Sequence, residues 1–143
     1  MAILGSRILV AYDESEHGRK ALDTAARIAG QDPDVALHIV HVLEPVNVTG
    51  FGPEIGEWLR VRRENAEKRM EELRQSLQGI TNPVTVHVVD GSPGERIVHT
   101  AAEQQCDLIV MGSRGLTGIK EFFLGSVSHY VAQRSACPVL IVK

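Results

Sequence analysis

Five short runs rich in β-branched and aliphatic residues alternate with segments of helical period, and this alternation constrains the fold more than any other feature of the chain. The runs lie at residues 7–12 (RILVAY), 35–42 (VALHIVHV), 84–90 (VTVHVVD), 107–111 (DLIVM) and 139–142 (VLIV). Several are almost continuously apolar, as central parallel strands covered on both faces are. Residues 15–29 place Ala21, Leu22, Ala25, Ala26, Ile28 and Ala29 on one helical stripe, with Ser15 as N-cap. Residues 54–77 read as the longest helix, with Ile55, Leu59, Ala66, Met70, Leu73 and Leu77 on a common face. Ser92-Pro93-Gly94-Glu95 opens a third helix over 93–104, as a capping box with proline at the first helical position. A last helix over 126–134 stops before Cys137-Pro138.

Strand and helix in strict alternation predict a parallel sheet with right-handed crossovers. At 143 residues an open doubly wound sheet is favoured over a barrel. The chain reads as one α/β domain, residues 1–143, without internal repeats. Residues 44–53 (EPVNVTGFGP) form the one long loop and the expected mobile element.

Charge and composition narrow the partners. Fifteen basic and eighteen acidic side chains give a net charge of −3, which argues against a nucleic-acid-binding surface. The basic cluster at 60–63 is followed by Glu64, Glu67, Glu71 and Glu72, the pattern of a solvated helix face. No apolar run approaches the ~20 residues needed to cross a bilayer. Arg7 and Asp13 interrupt any secretory signal pattern near the start, so a cytoplasmic protein is expected. Cys106 and Cys137 lack metal-type spacing and are expected to pack as small apolar residues.

In open α/β sheets, ligands bind beyond the carboxyl ends of the strands. The richest such connection here is Gly112-Ser113-Arg114-Gly115-Leu116-Thr117-Gly118, with the final helix beginning only at Gly125-Ser126. Glycines permit tight turns and close ligand approach. A helix start presents amide hydrogens and a dipole that favours anions. The two stretches therefore predict the walls of a phosphate pocket. Arg114 is placed either to add charge at its rim or to face solvent. Neither GxxxxGK[ST] nor a GxGxxG after the first strand is present, so the pocket belongs to neither common nucleotide-binding class.

The string MGSRGLTGIKEFFLGSVS, with its Gly112-x2-Gly115-x9-Gly125-Ser126 spacing, resembles the nucleotide-binding pattern of the universal stress proteins. The resemblance covers essentially the whole chain: Asp13-x-Ser15 after the first strand, His41-Val42 ending the second, Gly91-x-Pro93 before the third helix, and Cys137-Pro138-Val139-Leu140 near the end. It implies a five-stranded parallel sheet of order 3-2-1-4-5 with helices on both faces. It also implies an ATP-binding member of the family, with AMP or ADP as alternatives and Mg²⁺ as an optional companion. By the same resemblance Asp13 and Val42 bracket the adenosine, while Gly112, Gly115, Gly125, Ser126 and Val127 hold the phosphates. Ala11, Ser15, Met111, Arg114 and Ser128 complete the expected site. As an acceptor at a strand end, Asp13 suits a ribose hydroxyl or the adenine amino group, and it is also placed to cap the first helix with Ser15. The resemblance further points to a homodimer through the C-terminal strand Val139–Val142, whose edge is otherwise unpaired.

Other constellations carry less. His38 and His41 lie three apart on a strand and face opposite sides, so they cannot share an ion. His17, His87, His99 and His129 lack partners at ligand spacing, and all six histidines are expected to be surface or partly buried residues. No metal site is expected. Ser126, Ser128 and His129 lack the GxSxG elbow of a nucleophile. Phe122, Phe123 and Leu124 are expected in core packing or as a lid. The leading expectation is a regulatory ATP-binding stress-response module with no catalytic residues. A slow ATPase or phosphotransferase using the same pocket is the alternative, and an interaction protein with a vestigial pocket is a third reading.

Overall fold

In a computed structural model that describes residues 6–114 and 124–143, strands and helices alternate throughout. They run β1 (Arg7–Ala11), α1 (Glu16–Ala29), β2 (Ala36–Leu43), α2 (Ile55–Ser76), β3 (Val84–Asp90), α3 (Pro93–Glu103), β4 (Leu108–Gly112), α4 (Ser126–Arg134) and β5 (Val139–Val142). All strand pairs are parallel, and the sheet order is β3-β2-β1-β4-β5. This is the predicted doubly wound sheet, including the order implied by the family resemblance.

Each face of the sheet carries its own core. On one, Ile8, Val10, Leu37 and Ile39 pack against Ala21, Leu22 and Ala25 of α1 and Met70 of α2. On the other, Leu9, Val40, Ile109 and Met111 pack against Ile97 and Ala101 of α3 and Val131 of α4. Burial on both faces explains why β1 and β4 are continuously apolar. The chain leaves β1 toward β2 and leaves β4 toward β5, in opposite directions across the sheet. The carboxyl ends of these two neighbours are therefore the switch point at which such sheets hold ligands.

Ser15 is the N-cap of α1, its hydroxyl accepting the Gly18 amide at 3.0 Å. Three local expectations are corrected. Ser92 occupies the N-cap of α3 but makes no side-chain cap bond, so proline at the helix start acts there without a closed capping box. Along α2 only Ala66 and Met70 are buried, while Leu59 is exposed. Its apolar face thus meets the core in its second half alone, because a helix of 22 residues spans about 33 Å and β3 beneath it only about 23 Å. The first half overhangs the carboxyl edge of the sheet. Its Arg60 and Arg63 pair with Glu57, Glu64, Glu67 and Asp90, the solvated charge pattern predicted.

The third correction concerns the histidines. His38 and His41 are both buried. His38 Nδ1 meets His87 Nε2 at 2.9 Å, with the two rings stacked at 5.2 Å. The partner sits on the neighbouring strand, where spacing along one strand does not show it. Cys106 lies in the second core, as expected, and burial pushes its thiol up to about 11.

Candidate functional site

A cavity of about 630 Å³ opens at the switch point, between the ends of β1, β2 and β4 and the start of α4. Its floor comes from the strand ends, with Ala11 and Asp13 after β1, Val42 on β2, and Met111 and Gly112 on β4. Its opposite wall is Gly125, Ser126, Val127 and Ser128, with Arg114 between the two. Ten of the twelve residues expected at the site therefore line one cavity. Ser15 stands behind its wall. Gly115 lies outside the described residues, as do Phe122 and Phe123.

Asp13 is held rigidly. The Ser15 hydroxyl donates to its Oδ1 over 2.5 Å and the Ser15 amide does so over 3.0 Å. Ser15 thus serves the cavity indirectly, by capping α1 and anchoring the carboxylate that lines it. Tyr12, beside Asp13, has its hydroxyl pushed above the ordinary phenol value, mainly by burial and against the opposing pull of Arg19. It remains a donor at neutral pH.

The wall at the start of α4 is assembled differently from what the sequence predicts. The Gly125 amide is engaged, donating to the Ser113 carbonyl over 2.7 Å. The Ser128 hydroxyl lies 3.0 Å from the Ser113 and Gly125 carbonyl oxygens, so Ser128 fastens the helix start to the end of β4. The amides with no carbonyl four residues back within the helix are those of Ser126, Val127 and Ser128. The first intrahelical bond runs from the His129 amide to the Gly125 carbonyl. Anion-binding capacity at this wall rests on those three amides, the helix dipole and the exposed Ser126 hydroxyl.

Gly112 also has a packing role. A Cβ there would sit 2.6 Å from the Cβ of His17 and 2.9 Å from its backbone carbon, so β4 approaches α1 more closely than any side chain allows.

The cavity includes residues that sequence reasoning missed. His41 borders it, with Nδ1 donating to the Tyr12 carbonyl at 2.9 Å. Glu44 and His129 also contribute, and Pro93 and Ile97 reach in from α3, while Leu124, expected in core packing or as a lid, lines the cavity too. His41 and Glu44 were within reach, since one precedes Val42 and the other follows the end of β2. The α3 residues were not, because the face on which that helix lies appears only in the assembled sheet. Among the described residues no cluster of three or more histidine, cysteine or acidic side chains is suited to hold a metal ion. No helix among them is long and apolar enough to cross a membrane.

Fold and cavity together define a doubly wound α/β protein with a cavity at its switch point, an apolar floor and a helix start facing an acidic strand end. Comparison with known proteins narrows the class. The profile of the universal stress protein family matches residues 6–143. A universal stress protein of Thermus aquaticus is 38% identical over 136 residues, covering 95% of this chain and 97% of its own length. The solved structure of protein MJ0577, from Methanocaldococcus jannaschii, superposes with a TM-score of 0.87 at 30% identity, covering 99% of this chain and 97% of that one. A universal stress protein solved in complex with cAMP superposes with a TM-score of 0.63 at 27% identity, covering 97% of each chain. The chain belongs to the universal stress protein family.

Proposed function

We propose that this protein is an ATP-binding regulatory member of its family, acting in a stress response. The nucleoside sits against Asp13 and Val42, and the phosphates are directed toward Ser126 and Val127. One observation carries the reading: the cavity sets an anchored carboxylate and an apolar floor at one end, and at the other a helix start whose first amides have no intrahelical acceptor. That polarity suits a ligand with a hydrogen-bonding, flat head and an anionic tail. The cAMP complex of a relative supports an adenine nucleotide as the ligand class. Ala11 and Met111 provide apolar contact, Arg114 lies near the path of the phosphates, and Ser128 and Ser15 hold the two ends in place. The glycine at 115 completes the proposed phosphate loop, and Mg²⁺ would accompany ATP through the phosphates alone.

Isothermal titration with ATP, ADP, AMP and cAMP tests this directly, together with analysis of nucleotide released on denaturing the purified protein. ATP binding with 1:1 stoichiometry, lost in Ser126→Asp, is the expected result. The added carboxylate would repel phosphate at the helix start while suiting its dipole, so the fold survives. No measurable affinity for any of the four would overturn the reading. Phosphate release over many turnovers would replace the regulatory module with the ATPase alternative.

A further inference from the structure

A second cleft of about 620 Å³ adjoins the first, and the two share Asp13, His41, Val42 and Glu44 as a common wall. It exists because α2 overhangs the sheet: Trp58, Val61, Arg62 and Arg69 of that helix form its far side. The cleft is braced by polar contacts. Arg69 Nε donates to Glu14 Oε1 at 3.1 Å, and Arg62 donates to the Glu44 carbonyl at 2.9 Å. Glu14 Oε1 also lies 3.9 Å from His41 Nε2. Glu14 adopts a φ of 69°, a left-handed backbone unusual for a non-glycine residue. Trp58, the only tryptophan in the chain, is 51% exposed and lies against the cleft without joining either core.

The shared wall is the nucleoside end of the proposed nucleotide site, since the phosphates point away from it toward α4. With Asp13 accepting from one ribose hydroxyl, a group carried on the other ribose oxygen can reach the second cleft across this shared wall while the base and phosphates stay in the first. The cleft offers an aromatic face in Trp58. Its carboxylates, Asp13, Glu14 and Glu44, offset the two guanidiniums of Arg62 and Arg69. A flat, uncharged group suits that lining better than another phosphate. Resting on the adenine-nucleotide reading, we infer that the second cleft receives a planar aromatic or heterocyclic group carried on the 2′ or 3′ ribose oxygen of the bound nucleotide, with Trp58 as its stacking surface.

The test compares three ligands by titration: ATP, ATP bearing an N-methylanthraniloyl group on the ribose, and ATP bearing an aromatic group of similar size on the γ-phosphate. The ribose-modified ligand is expected to bind about tenfold more tightly than ATP, the scale of one aromatic pair. The γ-modified ligand should gain nothing. In Trp58→Ala, an exposed substitution checked for folding by circular dichroism, the tenfold gain should vanish while ATP affinity stays unchanged. The inference is overturned if the ribose-modified ligand binds no better than ATP, if its gain survives in Trp58→Ala, or if the γ-modified ligand gains as much. Failure of ATP itself to bind is a separate result, which would remove the nucleotide reading beneath it.

Discussion

The carbonyl of Ser113 accepts two bonds from the start of α4, one from the Gly125 amide at 2.7 Å and one from the Ser128 hydroxyl at 3.0 Å. This joins the end of β4 to the helix whose amides face the cavity. Ser128 is 2% exposed, so no water replaces its hydroxyl easily when it is lost. Ser128→Ala should therefore lower stability by about 1–2 kcal/mol, the cost of a buried hydrogen bond with its acceptor left underused. Its effect on the ligand should be separate and larger in proportion, because the helix start would lose its fixed distance from Asp13. Urea unfolding and ATP titration on the same sample check both. Stability loss with wholly unchanged affinity would show that the Gly125 bond alone sets the wall.

Gly112 yields a different kind of prediction. Its sequence context suggests a glycine that admits phosphate, yet its missing Cβ points at His17. Gly112→Ala should force β4 and α1 apart and cost about 1–3 kcal/mol, as overpacking does. The urea midpoint should fall with the slope preserved. A variant as stable as the parent that had lost only ATP affinity would return Gly112 to a purely ligand-facing role.

These two residues show where the sequence was legible. The spans of β3, β5 and α4 are those its pattern predicts, and the remaining strand and α1 boundaries agree to within a residue, because apolar runs and caps are local signals. Asp13, Val42 and Met111, which line the cavity, were expected there from the family resemblance, and they lie at the strand ends where sheets of this class hold ligands. What stayed hidden depends on one element meeting another. The apolar half of α2 near Leu59 follows the helical period of the core-facing half, and only the length of β3 shows that nothing lies beneath it. The use of the Gly125 amide by Ser113, and of His38 by His87, requires the folded register.

The His38–His87 pair makes stability depend on pH. Burial chiefly, with His87 and Arg7 adding, lowers His38 from an ordinary 6.5 to about 4, and burial also lowers His87 against the opposing pull of Glu103. A histidine with a depressed folded value binds its proton more readily when unfolded. Its contribution is thus fully present above about pH 6.5 and is lost as pH falls toward 4. At 5% exposure His38 should contribute roughly 2–3 kcal/mol across that window. Urea midpoints measured at pH 7.5, 5.5 and 4.5 should fall in sequence. In His38→Leu the fall should be much shallower, since the apolar replacement removes the titrating group from the core. Parallel pH profiles for the two proteins would place the sensitivity elsewhere.

The two edges of the sheet differ in a way that bears on assembly. At one edge β3 is guarded: Arg63 donates to the Val88 carbonyl at 3.1 Å and pairs with Asp90 at 2.5 Å, so charge occupies the margin. At the other, β5 pairs only with β4 among the described residues, and its Leu140 is 38% exposed. An uncharged strand with open backbone groups invites pairing with a second copy of itself. Around a two-fold axis the two β5 strands would run antiparallel and extend the sheet through both protomers. Leu140→Arg would then bring two like charges together near that axis, where cross-strand repulsion is felt directly. Sedimentation equilibrium should give the parent about twice the chain mass of 15.6 kDa and the variant that mass alone. ATP affinity should be retained, since Leu140 does not line the cavity at the switch point. A monomeric parent, or a dimer indifferent to the substitution, would rule out β5 as the interface and leave the guard on β3 without its functional counterpart.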